Sequence, residues 1–242
     1  MDESLYLGVY WLARGDSAEH CAREAARLFQ SLAECDRALS HWYSKGRTLE
    51  AALEKKLETQ ASFLEQTFLL QQGQEGRAQG EGFSLRVWNG QHEEGGTRLS
   101  LHCGEATHWV SNSCVLSIPR EGPTAERLLK PSLLTQILRA LVLAWNPEWG
   151  VVTSHAFRDR LTDSAEAGTF VGGLTYFSHR RGVLPPLPPP VQLEAVEDLG
   201  TLVLLTPEPV SSSNPLHLDL AREVSERLSR AGLLSPLRPE VP

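Results

Sequence analysis

One segment constrains the fold more than any other, because it is apolar around most of the circumference of a helix. After a break at Pro131, Ser132 starts this helix, which runs to Trp145. Its apolar residues are Leu133, Leu134, Ile137, Leu138, Leu141, Val142 and Leu143. A helix of this kind must be covered by neighbours on several sides. Because the segment contains Gln136 and Arg139 and is too short to span a bilayer, we expect it inside a folded domain.

The first and last helices are marked by capping residues. Asp16 or Ser17 can cap a helix in which apolar residues recur at helical spacing. The core-facing stripe of that helix is Ala18, Cys21, Ala22, Ala25, Leu28, Phe29 and Leu32. Asn214 followed by Pro215 is a typical helix start, and we expect this closing helix to end near Gly232.

The region between residues 48 and 82 is more polar than its surroundings. Thr48 can cap a second helix that runs to about Leu70. The stretch from Gln71 to Gly82 is rich in glycine and glutamine, which is typical of a loop or linker. We therefore expect residues 48–82 to contain a helical part that can move relative to the rest of the chain.

Short runs of aromatic and β-branched residues predict seven strand segments. They are Leu5–Leu12, Phe83–Trp88, Thr97–Cys103, Cys114–Ile118, Trp149–Ser154, Thr169–Phe177 and Val191–Thr206, the last broken near Asp198. Turn residues such as Asn89-Gly90 separate the second, third and fourth, which predicts an antiparallel meander. Because strands and helices do not alternate regularly, we predict a single α+β domain with a mixed, largely antiparallel sheet and several helices.

Charge and cysteine usage limit the class of protein. The net charge is −7, from 30 acidic and 23 basic residues. This balance argues against direct nucleic-acid binding, which draws on basic residues, and allows steering toward a basic partner. The four cysteines form no C-x-x-C pair, and the first residues lack the positive charge of a signal peptide. We therefore expect reduced thiols, no membrane association and a cytoplasmic location.

Common catalytic and metal-binding motifs are absent, including those of P-loop, dinucleotide-binding, serine-hydrolase and zinc-peptidase proteins. Glu54-Lys55-Lys56 matches half of a nuclease motif, but we place it on the predicted second helix, where the two side chains diverge. The set His102, Cys103, His108 and Cys114 has no standard zinc spacing, and its thiols fall in apolar strands. We predict no catalytic residue, no metal ligand and no cofactor.

Two alternatives remain beside a binding protein. Ser154-His155 ends one predicted strand and His179 follows another, so a small hydrolase-type enzyme using either histidine is the first. We favour local hydrogen bonds at these strand ends, because no third orienting group is visible. The second alternative is an adaptor that presents the proline-rich segment after Arg180-Arg181 as an SH3 ligand. We favour a rigid connector over residues 183–190, since strands lie close on both sides.

Read in order, these features resemble the immunity protein 52 family of bacterial polymorphic-toxin systems. The stretches that carry the resemblance are Tyr10-Trp11, Ser17-Ala18-Glu19, Cys35-Asp36, His41-Trp42-Tyr43, Trp88-Asn89-Gly90, Asn112-Ser113-Cys114, Ala125–Leu129, Ala144-Trp145, Pro147–Gly150, Thr153-Ser154-His155, Leu174–Ser178, Asp198–Pro207, Asn214-Pro215 and Ala231–Leu234. The resemblance covers almost the whole chain. It implies an antidote, encoded beside a secreted toxin with a restriction-endonuclease-like nuclease domain, that binds this toxin and blocks it without catalysis.

The resemblance carries no contact residues, so charge and loop position supply the candidates. An acidic inhibitor associates faster with a basic nuclease groove, and an exposed tryptophan beside an acid suits an interface. We expect toxin contacts from exposed residues in the meander loops and in the loop after His155. These are Glu93, Glu94, Glu105, Trp109, Asp159, Asp163 and Glu166. Trp109 packing on the sheet instead is the open alternative.

Overall fold

A single antiparallel sheet forms the frame of the protein. The computed structural model describes residues 4–74, 80–91, 95–107, 110–162 and 169–237. The strands within them are β1 (Leu5–Trp11), β2 (Tyr43–Ser44), β3 (Glu81–Trp88), β4 (Arg98–Glu105), β5 (Asn112–Ser117), β6 (Trp149–Ser154), β7 (Leu174–Ser178), β8 (Gln192–Val196) and β9 (Gly200–Leu204). Their order across the sheet is β2-β3-β4-β5-β1-β6-β7-β9-β8, so β1 lies at its centre. The predicted α+β class and antiparallel meander are confirmed.

Three of the described helices begin at capping side chains that the sequence indicates, namely Ser17, Thr48 and Asn214. The described helices are α1 (Ala18–Cys35), α2 (Leu49–Leu53), α3 (Ala61–Gln74), α4 (Gly122–Leu128), α5 (Pro131–Trp145), α6 (His155–Asp159) and α7 (Pro215–Arg230). Ser17 accepts a hydrogen bond from the amide of His20, and Asn214 accepts one from Leu216. At its other end α5 stops at Asn146, which has a left-handed backbone with φ of 40°. These local features satisfy backbone groups at the ends of the helices.

One face of the sheet is covered by α1, α3 and α5. Leu7, Val9 and Trp11 of β1 are buried against these helices. Ile137 and Leu138 of α5 are fully buried too, which confirms the prediction that neighbours cover this helix. Burying such side chains stabilises the fold by about 1.5–3 kcal/mol each. The main core therefore lies between the central strands and these three helices.

The other face is covered over only part of its width. Val151, Phe177 and Val203 from β6, β7 and β9 pack with Val224 and Leu228 of α7 in a second core. On the same face, outward residues of β3, β4 and β5 such as Arg86 and Ser100 are exposed. Since no described helix lies over those strands, one half of this face is open to a partner.

The predicted continuous helix from Thr48 to Leu70 is wrong. The chain leaves the helical conformation at Glu54 and re-enters it at Ala61. Between these points the amide of Leu57 bonds to the carbonyl of Trp42, and Lys56 forms a bridge with Tyr43. These backbone bonds hold the segment beside β2, and they compete successfully with helix formation. Glu54-Lys55-Lys56 therefore lies outside a helix, which corrects its predicted placement.

Several predicted strand limits also change. The strand expected from Thr169 begins only at Leu174, after Gly172-Gly173. The β4 strand extends two residues past Cys103, to Glu105. Sequence patterns missed α6, a single turn capped by Ser154, and the two-residue β2. Elements this short have no hydrophobic period for a sequence pattern to detect.

The proline-rich segment between β7 and β8 lies on the second core. Leu184 and Leu187 are partly buried against that core. Arg227 of α7 donates a hydrogen bond of 3.0 Å to the carbonyl of Pro186. Val183, in contrast, is 89% exposed. These contacts hold the segment along the surface of the fold, and the rigidity of residues 183–190 stays a prediction.

Among the described residues, no single helix is both long and apolar enough to cross a membrane. The bent pair formed by α4 and α5, which meet at 75°, passes that test on length and composition when the two are taken together.

Candidate functional site

The uncovered half of the second sheet face, here called the open face, is the candidate site. Strand register places the following residues on it: Ser84, Arg86 and Trp88 of β3, Arg98, Ser100 and His102 of β4, and Ser113, Val115 and Ser117 of β5. None of these side chains is buried. Alternation along a strand brings them to one side while their neighbours, such as Leu85 and Leu99, enter the main core.

Two arginines give the open face a positive charge. Trp88 pairs with Arg98 across β3 and β4, and Arg86 pairs with Ser100. This register makes Arg86 and Arg98 diagonal neighbours, about 7–8 Å apart along the ladder. Neither arginine has an ion pair or a hydrogen bond within the described part of the chain. The two positive charges therefore lie on neighbouring positions of one exposed surface.

A cavity of about 700 Å³ adjoins the open face where β3 ends. Trp88 and Arg98 line one side of it, and the rings of Tyr6 and His155 line another, with centroids 4.8 Å apart and planes inclined by 31°. Arg120 and Glu121 also line it. The cavity therefore combines aromatic walls with two guanidinium groups and one carboxylate among its described lining residues.

A hydrogen-bonded row of polar side chains crosses the far end of the open face. Ser84 Oγ is 3.2 Å from Nδ1 of His102, and Nε2 of His102 is 3.3 Å from Oε2 of Glu105. The other carboxylate oxygen of Glu105 accepts bonds from the amide and hydroxyl of Thr107. Burial raises the pKa of Glu105, but the Thr107 and His102 contacts outweigh it and lower that pKa. Glu105 is therefore a charged, buried anchor.

The row contains the residue types of a serine-hydrolase triad in a different arrangement. Here the serine faces Nδ1 of His102 and the acid faces Nε2. In the Ser-His-Asp template the serine faces Nε2 and the acid faces Nδ1. The row holds β3, β4 and the following turn together, and this is the role its geometry supports.

The two histidines of the enzyme alternative do not share a site. His155 follows β6 and His179 follows β7, and since these strands are antiparallel the two lie at opposite ends of the sheet. Ser154 caps α6 by accepting a bond from the amide of Phe157, and His179 Nδ1 contacts the carbonyl of Asp198. These are the local hydrogen bonds favoured from the sequence.

The residues suggested for metal binding diverge. His102 points to the open face, whereas Cys103 and Cys114 are buried in the main core. His108 lies outside the described residues. In the part of the chain that the structure describes, no group of three or more histidine, cysteine or acidic side chains could hold a metal ion.

Of the toxin-contact candidates, the structure describes two. Asp159 is exposed at the end of α6, and its carboxylate accepts bonds from Arg158. The expectation that Glu105 is exposed is wrong, because His102 and Thr107 hold its carboxylate inside, with 3% of the residue accessible. The remaining candidates lie outside the described residues: Glu93, Glu94, Trp109, Asp163 and Glu166.

Sequence reasoning missed the residues that the fold brings together on the open face. Arg86, Trp88 and Arg98 fall at alternate positions of predicted strands, so a shared face was a detectable signal. The sequence pattern does not show which strands have a face that the helices leave uncovered, because this depends on the order of strands in the sheet.

Comparison with known proteins gives a family and a solved structure of similar fold. A family model described as Immunity protein 52 matches residues 3–237, which places the chain in the class of immunity proteins. The chain belongs to the immunity protein 52 family, so the resemblance seen in the sequence is confirmed. No curated protein matches it. The solved structure of the Pseudomonas aeruginosa T6SS protein PA0821 is similar in fold, with a TM-score of 0.58 and 12% identity over 92% of this chain and 72% of that one.

Proposed function

We propose that this immunity protein binds and neutralises a cognate nuclease toxin of the restriction-endonuclease-like class in the cytoplasm of the cell that makes it. The observation that carries the proposal is the family match over residues 3–237. The toxin would belong to a polymorphic or secretion-system pair, a setting in keeping with the T6SS protein that shares the fold. The chain acts by occupying a surface of the toxin, without catalysis, cofactor, membrane or direct contact with nucleic acid.

Charge supports a nuclease as the partner. A nuclease needs a basic groove to attract phosphate, and this chain has a net charge of −7. Opposite charges speed the encounter of two proteins, which matters for an antidote that must act before its toxin cuts. We propose that the rim of the interface includes Asp159, which is exposed. The other proposed rim contacts are Glu93, Glu94, Trp109, Asp163 and Glu166. A specific complex of this kind would bury on the order of 1,600 Å² in total.

Co-expression with the product of the adjacent toxin-like gene tests the proposal. We expect a one-to-one complex on size-exclusion chromatography with light scattering. We also expect the toxin's cleavage of plasmid DNA or of total RNA to disappear on addition of one equivalent of this protein. An immunity protein of another family, added at the same concentration, is the control. Undiminished cleavage together with separate elution would show that the proposal is wrong.

A further inference from the structure

We infer that the arginine-bearing part of the open face, formed by Arg86, Trp88 and Arg98 with the adjoining cavity, binds an extended, carboxylate-bearing segment of the toxin. This rests on the proposed function and deepens it, because it names the chemistry of the partner segment and the surface that receives it. It also differs from a simple model in which an acidic protein contacts a basic partner over the whole interface, because here the basic residues belong to this chain.

The charge of the open face suits an anionic partner segment. Arg86 and Arg98 are exposed diagonal neighbours with no ion pair or hydrogen bond in the described structure. The acids nearest to them on β3 and β4 are Glu81 and Glu105, and Glu105 is already held by His102 and Thr107. Glu121 lines the adjoining cavity, yet in the described structure neither Arg86 nor Arg98 forms an ion pair with any of these acids. Their guanidinium groups are therefore free to form paired hydrogen bonds with carboxylates from outside.

The shape of the surface around Trp88 suits an extended partner segment. Trp88 lies directly across the ladder from Arg98, and the Tyr6–His155 ring pair lines the adjoining cavity of about 700 Å³. Tryptophan and arginine are the residue types most enriched at the energetic centres of protein interfaces. Burial raises the pKa of Tyr6, so its hydroxyl stays neutral and can take part in hydrogen bonds. Exposed strands beside a cavity suit an extended segment with one anchoring side chain.

The net charge of the chain distinguishes a protein segment from a nucleic acid as the occupant. A nucleic acid is a long polyanion that the whole charge of −7 repels, whereas a short acidic segment feels chiefly the arginines within the screening length of roughly 8–10 Å. The aromatic rings alone would suit bases as well as side chains. Net charge therefore favours a carboxylate-bearing protein segment as the occupant.

Isothermal titration calorimetry with a catalytically silent form of the toxin from the adjacent gene tests this inference. We expect Arg86→Glu with Arg98→Glu to raise the Kd by roughly 100-fold or more, since repulsion replaces two paired contacts. The neutral pair Arg86→Gln with Arg98→Gln should give a smaller loss. Arg230→Glu, which reverses an exposed charge on α7, is the matched control and should leave the Kd within about twofold. Unchanged melting temperatures establish that all the variants fold.

Two results would overturn the inference, and a third would refute the proposed function on which it rests. Tight binding by wild type and by both double variants would overturn it and leave the proposed function intact. Absence of binding by the wild type would instead refute the proposed function. Capture of a labelled DNA or RNA oligonucleotide by the wild type, lost in the double reversal, would assign the arginines to phosphate and overturn the carboxylate assignment.

Discussion

Trp11 on β1 and Trp145 on α5 stack in the main core, with ring centroids 4.9 Å apart and planes inclined by 12°. Trp11 is completely buried and Trp145 is 4% exposed. The pair joins the central strand to the most apolar helix, so the packing of this contact holds the two layers in register. Its removal is expected to be among the most damaging single changes in the protein.

We expect Trp145→Ala to destabilise the fold by about 3–5 kcal/mol, because it removes a large buried side chain and leaves a cavity. Equilibrium unfolding in urea, followed by far-ultraviolet circular dichroism, measures this change. Leu143→Ala on the same helix, at a position 41% exposed, is the control and should cost about 1 kcal/mol or less. Equal losses for the two variants would contradict the role assigned to the stack.

The ion pair between Asp36 and Arg127 gives a prediction about pH. Both carboxylate oxygens accept bonds from the guanidinium, at 3.0 and 3.2 Å. Burial raises the pKa of Asp36, but the bonds from Arg127 and from the Ala38 amide outweigh it and hold the pKa below the ordinary 3.8. An acid with a lowered pKa stabilises the folded state above its ordinary pKa, and this contribution is lost as the pH falls through the lowered value.

Arg127→Met should therefore cost about 1 kcal/mol at pH 7, and the difference from wild type should shrink as the pH falls below 3.8. Urea unfolding at a series of pH values checks this. The exposed pair Arg222–Asp219 supplies the comparison, and Arg222→Met should change stability by less than about 0.5 kcal/mol at any pH. A cost for Arg127→Met that stays constant down to pH 2.5 would be inconsistent with the ion pair as its source.

The cap of α7 supports the second core. Asn214 accepts a hydrogen bond from the Leu216 amide at 3.0 Å. We expect Asn214→Ala to lower the free energy of unfolding by about 1 kcal/mol, and Asn214→Asp to retain most of it, because aspartate caps equally well. Thermal denaturation of the three proteins measures the order. An alanine variant as stable as the aspartate variant would mean that the cap contributes nothing here.

Helix α3 lies within residues 48–82, which the sequence predicts to contain a mobile part. Its Leu64 and Phe68 are fully buried, and Phe68 meets Phe83 of β3 with ring centroids 5.8 Å apart. Phe68→Ala should destabilise the protein by roughly 3–5 kcal/mol, whereas Leu70→Ala, at a position 65% exposed, should cost less than about 0.5 kcal/mol.

Hydrogen exchange followed by mass spectrometry adds a direct measure of this mobility. If the buried side chains dock α3 firmly, its amides will exchange as slowly as those of α1. Exchange within seconds would support the mobile part predicted from the sequence and would show that α3 opens independently of the sheet.

Local signals account for what could be predicted from the sequence. Ser17 and Asn214 cap helices through bonds that span two or three residues, and α5 is apolar on enough sides to require burial. The break between Leu53 and Ala61 could not be predicted in this way, since it depends on bonds to Trp42 and Ser44. Pairings of that kind are set by the tertiary fold.

The candidate site was harder to predict because its defining property is what the fold leaves uncovered. Arg86 and Arg98 look like ordinary outward-facing strand residues in the sequence. Only the strand order, with α7 over one half of the face, distinguishes them from covered positions. The prediction for Glu105 is wrong in the opposite sense. An acid beside a loop is expected to be exposed, but Thr107 of that loop holds the Glu105 carboxylate inside.

The central position of β1 has a consequence for synthesis in the cell. Its two neighbours, β5 and β6, end at Ser117 and Ser154, so residues 5–11 emerge from the ribosome long before either partner does. Until then both hydrogen-bonding edges of an apolar strand are unsatisfied, and late long-range pairing of this kind slows folding and favours aggregation. We therefore expect β1 to be prone to aggregation until the chain has been made through Ser154, when both of its partner strands are available.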